Sequence, residues 1–248
     1  MSEPAFDTPP RGDQDPRIAD LIDAMRQTAA GIVGLKLDHA AYTEAGLPLT
    51  TPVLLGSGRL DARVGILGRD PGRHELLQRE PFIGRGGSLV RDAMHRVVFG
   101  TDATDADARR AVGRHFFWAN TVPFKPAGNK AWSVAVKRQF VPHVRTLLTE
   151  RWAGTELITF GNVAFDWIRL AWPEQRNAVR SFWARDDRYE ATFILKMAPD
   201  RVVNVRPLPH PSPLNATWYR RLPAMVEARL AECGVGRAYA SMESAATS

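Results

Sequence analysis

Cysteine is nearly absent: Cys233 is the single one in 248 residues. One thiol cannot close an intrachain disulfide, and it cannot hold an iron–sulfur cluster or a cysteine-rich zinc site. The six histidines are scattered, with no H-x-x-x-H pair and no carboxylate at ligand spacing, so neither a metal nor another cofactor is expected. No stretch approaches the run of about 18 apolar residues that would span a membrane. The opening MSEPAFDTPPRGDQDPR is polar and lacks the apolar core of a signal peptide, so the expected location is the cytoplasm, away from the membrane. The G-K-[ST] ending of a phosphate-binding P-loop is missing, and no G-x-G-x-x-G follows the first strand pattern, which argues against an NTPase and a Rossmann dehydrogenase. There is no internal repeat.

Basic residues outnumber acidic ones, 33 to 27, for a formal charge of +6. That balance permits a polyanionic partner such as nucleic acid without requiring one. The length suits one domain, expected over residues 16–235 as a monomer, between flexible tails at 1–15 and 236–248. Apolar spacing from residue 17 to 32 predicts an amphipathic helix. Four short apolar runs follow: VGIL at 64–67, HFFWANTV at 115–122, ELITF at 156–160 and RVVNV at 201–205. Helical spacing at 88–99, 132–151, 163–171 and 217–231 falls between and after them. Strands alternating with helices predict a three-layer α/β/α sandwich with a central, mainly four-stranded parallel sheet.

In such folds ligands collect beyond the carboxyl ends of the strands. The segments there are GRDPG (68–72), NTVPFKPAGN (120–129), GN (161–162) and RPLPHPSPLN (206–215). GRDPG sets Asp70 directly after a strand; an Asx-type turn would use the same residues. PFIGRGGS (81–88) brings Phe82 beside a glycine-rich helix start, where Gly86, Gly87 and Ser88 could offer amides to a phosphate, or Phe82 could belong to the core. In PHPSPLN (209–215) three prolines make a stiff loop that aims His210, although a surface connection has the same composition. The seven tryptophans, 118, 132, 152, 167, 172, 183 and 218, are assigned to core and helix packing. His74, His95, His115 and His143 are assigned structural roles.

Taken in order, these pieces resemble the uracil-DNA glycosylase superfamily over roughly residues 64–220. GRDPG is similar to the family's G-Q-D-P-Y-H motif, PF at 81–82 to its base-stacking phenylalanine, FFWANTV to the strand ending in its uracil-reading asparagine, and HPSPLN to its closing H-P-S-P-L-S motif. The resemblance implies that Asp70 and His210 are catalytic. It implies that Gly68, Arg69, Phe82 and Asn120 bind the base, and that Leu214 wedges into the stack. Gly86, Gly87, Ser88, Lys125, Ser212, Asn215 and Arg220 would contact DNA, with Arg85 and Lys130 as further phosphate candidates. The implied reaction is metal-free removal of uracil from DNA, leaving an abasic site.

That reaction builds positive charge on the sugar and negative charge on the leaving uracil, so it needs an anion near one and a donor near the other. Asp70 and His210 are residue types that supply them. Asn120 can accept from uracil N3–H and donate to O4. Two departures stand out. Gly72 replaces the tyrosine that excludes the thymine methyl group, which keeps another deaminated or mismatched base, hypoxanthine or thymine opposite guanine, in play as substrate. The glycine-rich PFIGRGG and PFKPAGN segments are similar to branches that hold an iron–sulfur cluster with four cysteines, yet this chain has one, so a cluster-free member is expected. A lesion-binding protein without catalysis is a third possibility, and it would need neither Asp70 nor His210.

Overall fold

A computed structural model describes residues 15–53, 57–128 and 130–236. The stretches expected as flexible tails lie outside these residues, apart from Asp15 and Gly236. Asp15 is buried, and its side chain accepts from the Arg17 amide to cap a 3₁₀ turn at Pro16–Ile18.

The strands are β1 (Ser57–Gly58), β2 (Val64–Gly68), β3 (Phe117–Asn120), β4 (Glu156–Phe160), β5 (Phe193–Ala198) and β6 (Arg201–Leu208). They form one sheet in the order β1-β3-β2-β4-β6-β5. The inner four, β3, β2, β4 and β6, run parallel, and β1 and β5 add antiparallel edges. The helices are α1 (Ala19–Gly31), α2 (His39–Glu44), α3 (Arg73–Gln78), α4 (Arg85–Phe99), α5 (Ala106–Ala111), α6 (Val134–Thr146), α7 (Asn162–Ala171), α8 (Arg176–Trp183), α9 (Ala216–Tyr219) and α10 (Leu222–Glu232).

Both faces of the sheet are covered, as the predominantly apolar runs require. Val64, Ile66, Ile158 and Leu208 pack with Val90, Met94 and Val98 of α4 and with Leu222, Val226 and Leu230 of α10. Leu67, Leu157 and Val205 face the other way, onto Met25 of α1, Phe140 and Val144 of α6, Phe165 and Ile168 of α7 and Val179 of α8. Each such side chain contributes roughly 1.5–3 kcal/mol on burial. The three-layer arrangement is therefore present, with two edge strands added to the expected four.

Several elements differ from the periodicity. The helix expected over 217–231 is broken into α9 and α10, because Pro223 in the first turn of α10 has no N–H to donate backward. The helix expected from 132 begins at Val134, with Ser133 capping the Val136 amide, and its last turn, Leu147–Arg151, is a π-turn. The helix expected from Ser88 starts three residues earlier, at Arg85. β5 was not legible as a strand: it alternates buried and exposed positions, but Ile194 is on the exposed side. Among the described residues no helix is long and apolar enough to cross a membrane.

Candidate active site

Strand register creates the site. In the β2–β3 pair Gly68 lies beside Asn120, and in the β4–β6 pair Phe160 lies beside Leu208. The four strands therefore end together, and the segments after them meet. Thr121 ties the first two: its amide donates to the Gly68 carbonyl at 3.0 Å and its hydroxyl to the Arg69 carbonyl at 2.5 Å. Gly161, at φ +86°, turns the chain after β4, and a Cβ there would come within 3.0 Å of His210 Cβ. Glycine thus lets the imidazole lie against this turn.

A cavity of about 180 Å³ opens at these ends, lined by Asp70, Phe82, Asn120, Phe160 and His210 together with Gly68 and the glycine-rich turn. A larger one of about 500 Å³ adjoins it and shares Arg69, Asp70, Glu75, Phe160 and His210. Gly72, Asn162, Ser212 and Leu214 line only this second cavity. Leu214 is 97% exposed, an apolar side chain held out into solvent by its loop.

Asp70 is sunk in this pair of cavities, its side chain 3% exposed. Arg69 Nε sits 2.8 Å from Oδ1, and Nη2 donates to Oδ2 at 3.0 Å. The first contact is an ion pair whose angle falls short of a hydrogen bond, which leaves Asp70 Oδ1 with capacity to accept one. Burial raises the Asp70 carboxyl above the ordinary aspartate value, and the cations Arg69, Lys125 and Lys137 oppose that rise. Burial, and then Arg69, lower the His210 imidazole below its usual value. His210 still presents much of its surface to the open groove. The arrangement favours a neutral imidazole at neutral pH, able to donate one hydrogen bond.

Phe82 is held in a left-handed conformation, φ +55°, which costs a non-glycine residue of order 1 kcal/mol or more. Three interactions keep it there. Its amide donates to Glu75 Oε1 at 2.5 Å, its carbonyl accepts from Arg91 Nε at 3.2 Å, and its ring packs on Trp118 and Phe160 at 5.3 and 5.1 Å. Glu75 also accepts from the Gly72 amide, so one carboxylate braces both the aspartate turn and the aromatic platform. Burial raises the Glu75 carboxyl as well, the two amide donors opposing. Glu75 and Arg91 escaped the sequence reading; the available signal was an acid three residues into the helix that follows GRDPG, a capping position.

Gly86 and Gly87 serve close packing. A Cβ on Gly86 would fall 1.4 Å from the Pro211 carbonyl oxygen, and one on Gly87 would fall 2.1 Å from the Phe82 carbonyl carbon. The first turn of α4 is thus pressed against both the HPSPLN loop and the Phe82 turn. Ser88 is half-buried on the same turn, while Arg85, Lys130 and Arg220 are exposed. The Asn215 carbonyl accepts from the Trp218 and Tyr219 amides to start α9.

Lys125 is a correction. It is 2% exposed, and its ammonium donates to the Pro126 carbonyl at 2.7 Å and the Gly128 carbonyl at 2.5 Å, with Asp38 3.4 Å away. It cannot reach a phosphate; it pins its own loop to the segment before α2. Besides Arg69, half-buried Lys137 of α6 acts on Asp70, and there Asp70 and Asp166 oppose the lowering that burial imposes. Among the described residues no group of three His, Cys, Asp or Glu side chains is arranged to hold a metal ion. Cys233, buried and the one thiol of the chain, does not fit an iron–sulfur cluster.

Residues 55–233 match the family model described as Uracil DNA glycosylase superfamily. The chain belongs to the uracil DNA glycosylase superfamily. No curated protein matches the sequence. Membership makes the protein a DNA glycosylase, a hydrolase of the bond between base and sugar in DNA repair. The superfamily's α/β/α architecture agrees with the sheet and its two helical layers.

Proposed function

We propose that this member removes uracil from DNA by a monofunctional, metal-free hydrolysis, acting as a cytoplasmic monomer. The observation that supports this reading best is the convergence of Asp70, Phe82, Asn120 and His210 on one cavity. The everted base would stack on Phe82, with its edge against the Asn120 amide and its O2 toward His210 and the Gly68–Arg69 turn. As the C1′–N1 bond breaks, its electron pair passes to the leaving uracil, and His210 donates a hydrogen bond to the growing negative charge on O2. The Asp70 carboxylate faces the positive sugar and orients a water, whose oxygen bonds C1′ and whose proton the carboxylate accepts. Leu214 would fill the space that the nucleotide vacates, and Ser212, Asn215, Ser88 and Arg220 would hold the flanking phosphates.

A second reading has its own observation. Gly72 lines the larger cavity without a side chain to close it, so hypoxanthine, or thymine opposite guanine, is the alternative base. Single-turnover cleavage in chelator, on strands carrying each base, separates the two. Uracil excision that falls about 10²- to 10³-fold in Asp70→Asn and His210→Ala, with DNA affinity kept, supports the proposal. Excision confined to hypoxanthine or thymine moves the substrate, and binding with no cleavage leaves a lesion-recognition protein.

A further inference from the structure

Five of the seven tryptophans are buried in the core: Trp118, Trp132, Trp152, Trp167 and Trp172. Trp183 and Trp218 are half-exposed, and Tyr189 joins them. Its ring meets Trp218 at 5.0 Å and Trp183 at 6.0 Å, edge-on to both. Arginines cover this strip. Arg188 lies 5.5 Å over Trp183 and 5.0 Å over Tyr189, and Arg221 lies 5.3 Å over Trp218.

Core packing accounts for one face of Trp183, which stacks on buried Phe165 at 5.1 Å, but not for Tyr189, Trp218 and the arginines. Tyr189 and Trp218 are partly exposed, and among the described residues neither Arg188, Arg221 nor the adjacent Arg220 has an acidic partner, whereas neighbouring Arg185 is paired with Asp187 at 2.6 Å. The strip is also held firmly. Buried Arg229 donates to the Glu190 and Ala191 carbonyls at 2.8 and 2.7 Å, and Arg188 donates to the Arg185 carbonyl at 2.9 Å. It is continuous with the site, since Trp218 lies on α9, four residues beyond the exposed Leu214.

Rigid aromatic rings interleaved with unpaired guanidinium groups are what a single strand of nucleic acid binds: bases stack on the rings and guanidinium planes, and phosphates take the charge. We propose that the strip formed by Trp183, Arg188, Tyr189, Trp218 and Arg221 is a second DNA-binding surface, which takes unpaired bases of the strand flanking the everted nucleotide on the Leu214 side. This rests on the reading of the protein as a DNA glycosylase whose Leu214 enters the helix. The strip gives the enzyme a preference for uracil in single-stranded or locally melted DNA.

The test is fluorescence anisotropy with labelled, uracil-free single strands, so that binding is read without cleavage. Arg188→Ala and Arg221→Ala are each expected to weaken binding about tenfold and to make the salt dependence shallower by about 0.7 for each phosphate no longer neutralised. A uracil-free strand too short to reach from the cavity to the strip should bind the wild type no better than a full-length strand binds the variants. Arg221→Lys keeps the charge and removes the planar stack, so it should weaken binding while retaining the salt slope, which a merely structural role would not separate. If Arg188→Ala fails to fold, the two Arg221 variants decide. Unchanged affinity and slope in them overturn the proposal. Uracil excision by the wild type is read separately: excision with variants that bind normally removes the strip, and strip-dependent binding without excision removes the catalytic reading instead.

Discussion

Asp70 and Lys125 show how differently two charged residues in similar loops can be placed. Asp70 is buried at the mouth of a cavity with Arg69 against it, while Lys125 is buried away from the cavity among carbonyl oxygens. Lys125→Ala is expected to cost about 2–4 kcal/mol of stability, through unpaired carbonyls and Asp38. The same variant should leave the salt dependence of DNA binding unchanged; thermal melting beside a salt titration checks both halves. Arg69 acts on two titrations at once, since it opposes the rise at Asp70 and adds to the fall at His210. In the proposed mechanism the Asp70 carboxylate acts ionised, so the rate should fall as pH drops through its folded value, which lies above the ordinary one. Arg69→Gln removes the cation, so both groups should titrate higher and the acid limb should move to higher pH. A pH–rate profile whose acid limb stays put or moves down would contradict this electrostatic role.

At the scale of elements, α4 is the clamp of the site. Its first turn touches the HPSPLN loop through Gly86 and the Phe82 turn through Gly87, with backbone atoms on both sides of each contact. Backbone cannot swing aside as a long side chain can, so Gly86→Ala should displace the His210 loop. The expected result is a loss of excision of at least about tenfold, with a melting temperature lowered by several degrees, about 1–3 kcal/mol. Full activity in Gly86→Ala would mean that the loop is not held where the fold puts it. The sequence marked this segment as glycine-rich and next to the site. It offered phosphate binding as one reason, whereas the contact with Pro211 supplies a packing reason that no spacing rule contains. Glu75 is similar: its position near the start of α3 was visible, but its second partner, the Phe82 amide, depends on how the chain returns.

For the whole molecule, the one cysteine reports global stability. Cys233 is fully buried at the end of α10, its thiol pushed up to about 12 chiefly by burial. Around it, Arg206 pairs with Glu156 and Glu232, and Arg229 with Glu232, which joins β4, β6 and α10. A thiol reagent should therefore label Cys233 only through opening of this layer, with the denaturant dependence of global unfolding. Rapid labelling in buffer would instead show that α10 frays by itself.

By itself the sequence determined the parallel core of the sheet, because strands buried on both faces must be predominantly apolar, as in VGIL and, apart from Glu156 and Thr159, ELITF. It also determined the stiff His210 loop, because proline restricts the backbone locally whatever surrounds it. The break between α9 and α10 was equally local and could have been taken from Pro223. Only the tertiary structure decided that Lys125 is buried, that Glu75 and Arg91 hold Phe82 in a strained conformation, and that Trp183 and Trp218 share a surface with unpaired arginines. Those outcomes depend on which distant segments meet, which is set by strand register and helix packing. A side chain's burial and charge environment are properties of its neighbours in space, and the sequence gives only its neighbours along the chain.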